Sequence, residues 1–317
     1  MEGRGEHGSD SRRVERAHAK LNFGLRVLGR RADGYHLIES FFVPIDLADE
    51  VRIEIEPTDQ PRVTLECEIA PDASGVVDFP SGADNLALRA GEAFLRASGR
   101  SLRVSLSLVK RIPVGAGLGG GSSDAGAVLR ALDALVPGAL GRRRLAALAL
   151  SLGADVPFFL ASRPALVEGI GERITPIGGL PELGLVLANP GESLSTARVF
   201  GALDARPPAL TPAESGSTLR SLSDWMAVDP EDSVNQSLRL AEVLENDLEG
   251  AARELCPAIG EIQRRLAESG AWAVGMSGSG ATSFGVFATQ SEANSAIKQL
   301  ALRGDGWARL ARTLPDR

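Results

Sequence analysis

The sequence predicts an α+β fold, a sheet with helices packed on one side, and three observations carry that expectation. Residues 51–56 (VRIEIE), 63–69 (VTLECEI) and 102–108 (LRVSLSL) alternate apolar and polar side chains with a period of two. Such alternation sets one face on a core and the other toward water, the pattern of half-buried antiparallel strands. Between them, residues 85–97 carry Leu86, Ala90, Ala93, Phe94 and Ala97 at helical spacing, closed by Gly99. The order is strands, helix, strand, glycine-rich loop and helix, which is not the regular alternation of a parallel doubly wound sheet.

The downstream elements follow from the same signals. Ala125, Val128, Leu129, Leu132 and Leu135 form the apolar stripe of a helix after the loop. A second helix spans residues 142–152 and stops at Gly153, and residues 183–188 read as a buried strand. Residues 205–232 are rich in Pro, Ser and Asp and read as a long surface excursion. Helices are expected near 236–244, 247–255, 258–268 and 291–302, with a second small-residue turn running into a strand at 274–288. The change of texture near 160–180 marks a domain boundary, giving a disordered extension at 1–16, an N-terminal domain at 17–165 and a C-terminal domain at 166–317.

Bulk composition narrows the function. The 317 residues carry a net charge of −7, which repels a nucleic-acid backbone on average. The two cysteines, Cys67 and Cys256, lie far apart and make no zinc spacing, which fits a reducing cytoplasm. No apolar run is long enough for a transmembrane helix, and residues 1–16 lack the apolar stretch of a secretion signal.

The strongest local signal is residues 113–123, PVGAGLGGGSS, between a strand and an amphipathic helix. Gly115, Gly117, Gly119, Gly120 and Gly121 let the backbone approach a ligand closely. Ser122 or Ser123 can cap the helix, whose first-turn N–H groups and dipole suit a nucleotide triphosphate. The spacing fits GxGxxG, but a helix follows where a dinucleotide fold needs a parallel strand. It also fits the glycines of a Walker A loop, but Gly121 stands where that loop needs lysine.

PVGAGLGGGSSDAG (113–126) closely resembles the phosphate-binding motif of the GHMP small-molecule kinases. AHAKLNFGLRVLGRRADGYHLIES (17–40) and GMSGSGATSFGVF (275–287) sit where that superfamily places its other motifs. LGADVPFFL (152–160), LVEGIGE (166–172) and NDLE (246–249) are similar to the branch that phosphorylates a CDP-linked methylerythritol in the non-mevalonate isoprenoid pathway, and DGYH beside AKLN separates that branch from its cousins. The similarity covers residues 17–288, with one departure: His18 stands where the family usually has proline. The resemblance implies a two-domain GHMP kinase fold, the first domain like ribosomal protein S5 domain 2 and the second a ferredoxin-like sandwich, with the site in the cleft between them. It implies ATP as co-substrate with Mg2+, transfer to the substrate's 2-hydroxyl, and a cytoplasmic monomer or homodimer. It points to no protein metal ligands; Ser123 is the one hydroxyl considered near the ion.

Roles follow for individual residues. Asp155, in GADVPFF, is by likeness the base that takes the acceptor proton; as a type, an aspartate in a turn is more often structural. Lys20 and Asn22 share one face of a strand whose other face carries Ala19, Leu21 and Phe23. A cation there would polarise the hydroxyl and the γ-phosphate, although most lysines are simply solvated. Tyr35 and His36 follow an Asp-Gly turn, and in the family these positions stack on and read the cytosine. Thr196 and Phe200 fall where the family supplies the opposite wall, with a core phenylalanine as the plainer alternative for Phe200. Ser277, Gly278, Ser279 and Gly280 border the phosphates by likeness, or serve close packing. His7 and His18 carry no functional signal.

Overall fold

Two long antiparallel strands, β1 (Arg12–Arg30) and β2 (His36–Pro57), form the spine of the computed structural model. It describes residues 11–73, 75, 80, 82–206, 216–229, 232–300, 302 and 304–315. The first sheet adds β3 (Arg62–Ile69), β4 (Leu102–Lys110), β5 (Ala165–Gly169) and β6 (Arg173–Pro176), in the order β3-β4-β2-β5-β6 with β1 also paired to β2. Three helices, α1 (Leu86–Ser98), α2 (Gly120–Leu135) and α3 (Arg142–Leu152), cover it. Phe94 of α1 and Val128, Leu129 and Leu132 of α2 meet Val51, Ile53, Val104, Leu106 and Leu108 in one core, so the alternating residues of the strands face these helices. Asn85 caps α1 by accepting from the Ala87 N–H at 2.9 Å, and Gly99 ends it in the left-handed conformation.

Three expectations need correction here. β3 and β4 pair in parallel, not antiparallel, because α1 carries the chain back between them. Residues 12–16, expected to be disordered, open β1: they pair with residues 50–54 of β2, and Glu15 holds the Arg130 guanidinium at 3.1 Å. Residues 1–10 lie outside the described residues. The division at 165/166 falls inside the first sheet, since β5 pairs with β2 and β6 with β5 as far as Pro176. Backbone pairing with a distant strand outweighs the local change of composition.

The second sheet is antiparallel throughout: β7 (Gly184–Asn189), β8 (Ala273–Met276), β9 (Ser283–Phe287) and β10 (Trp307–Arg312), in the order β10-β7-β9-β8. Around it lie α4 (Thr196–Asp204), α5 (Ser217–Met226), α6 (Ser233–Val243), α7 (Glu249–Leu255), α8 (Ala258–Glu268) and α9 (Gln290–Ile297). β7 is buried on both faces, which explains its lack of alternation. Val186 and Ala188 meet Ile262, Leu266 and Ala293 of the helices, while Leu185 and Leu187 face Phe23, Phe41 and Ile45 of the first sheet. The residues expected at 274–288 make a β8–β9 hairpin, and the last helix ends at Ile297.

The excursion at 205–232 contains α5. Its Leu222 and Trp225 are buried in the core shared by the two sheets. The carboxylate of Glu39, fully buried, accepts the Thr218 N–H at 2.8 Å and the Gly216 N–H, anchoring the start of this helix. Residues 207–215, 230 and 231 lie outside the described residues.

Phe23 stacks on Phe284 with centroids 5.6 Å apart and planes 11° from parallel, tying the two sheets together. Phe23→Ala opens a cavity where they meet. The expected loss is about 3–5 kcal/mol of unfolding free energy, read from the midpoint of urea denaturation.

Candidate active site

The site is built where the glycine-rich loop is squeezed between two other segments. β4 ends at Lys110, and the Asp49 carboxylate accepts the Ile112 N–H at 2.8 Å, fixing the direction in which the loop leaves the sheet. Gly117 takes φ +76°, and a Cβ there would lie 2.3 Å from the Ser277 carbonyl oxygen. Gly119 takes φ +72°, and its Cβ would meet Phe159 at 3.0 Å and the Lys20 stem at 3.2 Å. These two positions therefore require glycine for both conformation and contact. Gly119 is also the N-cap of α2, and no side chain caps the helix. The expected serine cap is absent because the helix begins at Gly120, which puts Ser122 and Ser123 inside its first turn, where the Ser123 hydroxyl donates to the His18 carbonyl at 2.7 Å. The first turn of α2 is thus left without a side-chain acceptor and can hold an anion.

A cavity of about 880 Å³ opens over this loop. Lys20, Asn22, Tyr35, His36, Asp155, Thr196 and Phe200 line it, together with Pro113, Val114, Gly115, Ala116, Gly117, Leu118, Gly119, Gly120, Gly121 and Ser122. Gly278 and Ser279 line it too, whereas Ser123, Ser277 and Gly280 do not; Ser123 and Ser277 are fully buried.

Lys20 is held by β1. Its N–H donates to the Leu118 carbonyl at 3.0 Å, so strand and loop share a hydrogen bond. Opposite it in β2 stands Pro44, which has no N–H to offer. Lys20 is 4% exposed, and its ammonium donates to Asn22 Oδ1, lies 4.5 Å from the centroid of the Phe42 ring and sits 3.7 Å from Asp155 Oδ2. Burial pushes the Lys20 pKa down, and the Asp155 charge offsets part of that shift. Asn22 is fixed in turn: its amide donates to Ser40 Oγ at 2.8 Å, and its N–H meets Ser277 Oγ at 3.4 Å. Asp155 stands in the turn after α3 with its carboxylate one-third exposed.

The turn between β8 and β9 closes over the loop. Ser277 Oγ donates to the Gly117 carbonyl at 2.8 Å, and Ser279 shares a hydrogen bond with Thr196 at 3.0 Å. Asn246 donates to the Met276 and Gly278 carbonyls, both at 2.9 Å, and so shapes that turn; NDLE is visible as a motif, but this task is not readable from it. Elsewhere on the wall, Tyr35 is exposed, and His36 stacks on Phe200 with centroids 4.4 Å apart and planes 20° from parallel.

Other cavity residues were given no role from the sequence. Lys110 is buried between Asp49 and Asp124, 2.7 Å from the latter. Burial raises the Asp124 carboxyl well above the usual range despite the attraction of Lys110. Asp204 also lines the cavity, and the i, i+4, i+8 spacing of Thr196, Phe200 and Asp204 was the signal that could have found it.

Comparison with known proteins sets this geometry in a family. Residues 85–163 match the family "GHMP kinases N terminal domain", and residues 222–306 match "GHMP kinases C terminal". The 4-diphosphocytidyl-2-C-methyl-D-erythritol kinase of Citrifermentans bemidjiense is 40% identical, covering 92% of this chain and 95% of its own length. The enzyme of the same name from Mesorhizobium japonicum is 42% identical, covering 93% of each. This chain belongs to the 4-diphosphocytidyl-2-C-methyl-D-erythritol kinase family. A crystal structure of 4-(cytidine 5'-diphospho)-2C-methyl-D-erythritol kinase superposes with a TM-score of 0.69 at 35% identity, over 95% of this chain and 99% of the other. Homoserine kinase from Cytophaga hutchinsonii reaches the same TM-score at 17% identity, over 99% and 97% of the two chains, and shares the fold.

As a member of this family the chain is an ATP-dependent small-molecule kinase with the two-domain GHMP kinase fold. No helix among the described residues is long and apolar enough to cross a membrane.

The buried ammonium has a consequence for stability. Because its folded pKa lies below the ordinary 10.5, charged Lys20 costs stability at neutral pH, and the cost fades as pH rises from the lowered value through 10.5. Lys20→Met is therefore expected to raise the melting temperature near pH 7 while abolishing turnover, with the gain shrinking toward pH 10. Calorimetry across that range checks it; a lower melting temperature at pH 7 contradicts the sign.

Proposed function

We propose that this enzyme transfers the γ-phosphate of ATP to the 2-hydroxyl of 4-diphosphocytidyl-2-C-methyl-D-erythritol, giving the 2-phosphate and ADP in the non-mevalonate isoprenoid pathway. The supporting observation is that one continuous cavity holds an uncapped helix start behind a glycine-rich loop, a buried ammonium 3.7 Å from a carboxylate, and a wall of Tyr35, His36 and Phe200. The names of the relatives supply the substrate.

In this reading the loop from Pro113 to Ser122 holds the phosphates, through the N–H groups that follow the proline and those at the start of α2. Asp155 accepts the proton of the substrate hydroxyl, and Lys20 stabilises charge on the transferring phosphoryl oxygens. Asn22 keeps the ammonium directed, and Thr196 and Ser279 form a polar lip beside the phosphates. Tyr35, His36 and Phe200 hold the cytosine. Mg2+ is expected as an ion carried on the triphosphate, bound through the phosphate oxygens. When bound it neutralises phosphate charge. The reading places the enzyme in the cytoplasm, as a monomer or homodimer, with the domain division after Pro176.

Purified protein given ATP, Mg2+ and the CDP-linked alcohol should release ADP. Silence there, with turnover of mevalonate or homoserine, would reassign the substrate. Asp155→Asn is expected to keep ATP binding and lose about 10²–10⁴-fold in kcat; near-normal turnover removes Asp155 from the chemistry. Tyr35→Ala should raise KM for the CDP-linked substrate several-fold with little change for ATP, and equal losses for both would count against stacking.

A further inference from the structure

We infer that Asp204 is a specificity-determining positioning residue: it fixes the ring tautomer of His36, so that the pocket accepts a cytosine and rejects a uracil. This rests on the proposed reaction, in which His36 faces the substrate's base.

The argument begins with α4. Thr196, Phe200 and Asp204 lie four residues apart on this one helix, and all three line the cavity. Residues at that spacing share a helix face. Phe200 lies nearly parallel to the His36 imidazole at 4.4 Å, which fixes the plane of that ring. Asp204 then meets its edge, with Oδ1 2.8 Å from His36 Nε2. The other carboxylate oxygen lies 3.2 Å from the Arg30 guanidinium, so the carboxylate is contacted from two sides. His36 itself has an 11% exposed side chain, so these contacts set its orientation more than water does.

A carboxylate offers lone pairs alone. The imidazole nitrogen facing it must carry the hydrogen, so Nε2 is the donor. In the neutral ring Nδ1 is then an acceptor. Among the described residues Nδ1 has no hydrogen-bond partner, and His36 lines the cavity. An acceptor at that edge pairs with the exocyclic amine of cytosine. It meets the O4 carbonyl of uracil lone pair to lone pair and leaves both unpaired. Sites built on such a polar match discriminate strongly against the base that lacks it. Aromatic stacking by Tyr35 and Phe200 cannot make this distinction, because both pyrimidines present similar faces.

The test is kcat/KM for cytidine-linked and uridine-linked methylerythritol diphosphates, with wild type and Asp204→Asn. Asparagine can present either its carbonyl or its amide N–H to Nε2, so both tautomers become accessible. The cytidine-to-uridine preference should fall by about 10-fold or more, with KM for ATP unchanged. An unchanged ratio overturns the inference, since a role confined to folding would lower both substrates together. Should the variant not fold, 15N NMR of the histidine rings in wild type decides. The chain has three histidines, and His36 is expected as the Nε2–H form; an Nδ1–H form overturns the inference. If wild type turns over no cytidine-linked substrate, the proposed reaction fails, and the NMR result still reports whether Asp204 sets the ring.

Discussion

A buried ammonium must be given partners, and the construction of this cleft follows from supplying them to Lys20. In water the charge would be solvated; here it is almost wholly covered, and its folded pKa is driven down as a result. Three groups partner the ammonium: Asn22 from the same strand, the ring of Phe42 from the next, and Asp155 from the turn after α3, while the loop holds the lysine backbone through Leu118. None of these contacts can shift without leaving the cation poorly paired. That cost is consistent with the proposed role of Lys20, since a poorly hydrated cation would act more strongly on a phosphoryl group than one surrounded by water.

The same constraint explains why the loop needs glycine where it does. For the loop to lie against Lys20 on one side and the β8–β9 turn on the other, backbone must touch backbone. Gly117 packs on the Ser277 carbonyl, and Gly119 packs on the lysine stem and Phe159. The two sheets are thereby joined through the site as well as through the Phe23–Phe284 stack. The cleft is consequently a product of the packing of the two domains, with Ser277, Thr196 and Asn246 contributed by the second and Lys20, Asn22 and Asp155 by the first.

Segments with a strong local signal were readable directly from their residues. The strands at 51–56 and 102–108, the helix starting after Asn85 and the helix ending at Gly153 lie where period and punctuation place them. Elements held by remote partners were not. The start of β1 looks like a charged tail until its pairing with β2 is known, and α5 hides in a segment of turn-like composition until Leu222 and Trp225 find their core. The parallel pairing of β3 with β4 is likewise a matter of how the chain returns, on which period-two alternation is silent.

For the site, the glycine run announced a loop of close backbone approach, and the face shared by Lys20 and Asn22 followed from strand geometry; both are short-range properties of covalent structure and φ/ψ preference. That Ser123 turns inward to His18, that Lys110 is trapped between Asp49 and Asp124, and that Asp204 reaches His36 across 168 residues of chain were unreadable in advance. Hydrogen bonds and ion pairs depend on separation in space, and two residues far apart in sequence acquire that separation when the sheets and helices pack.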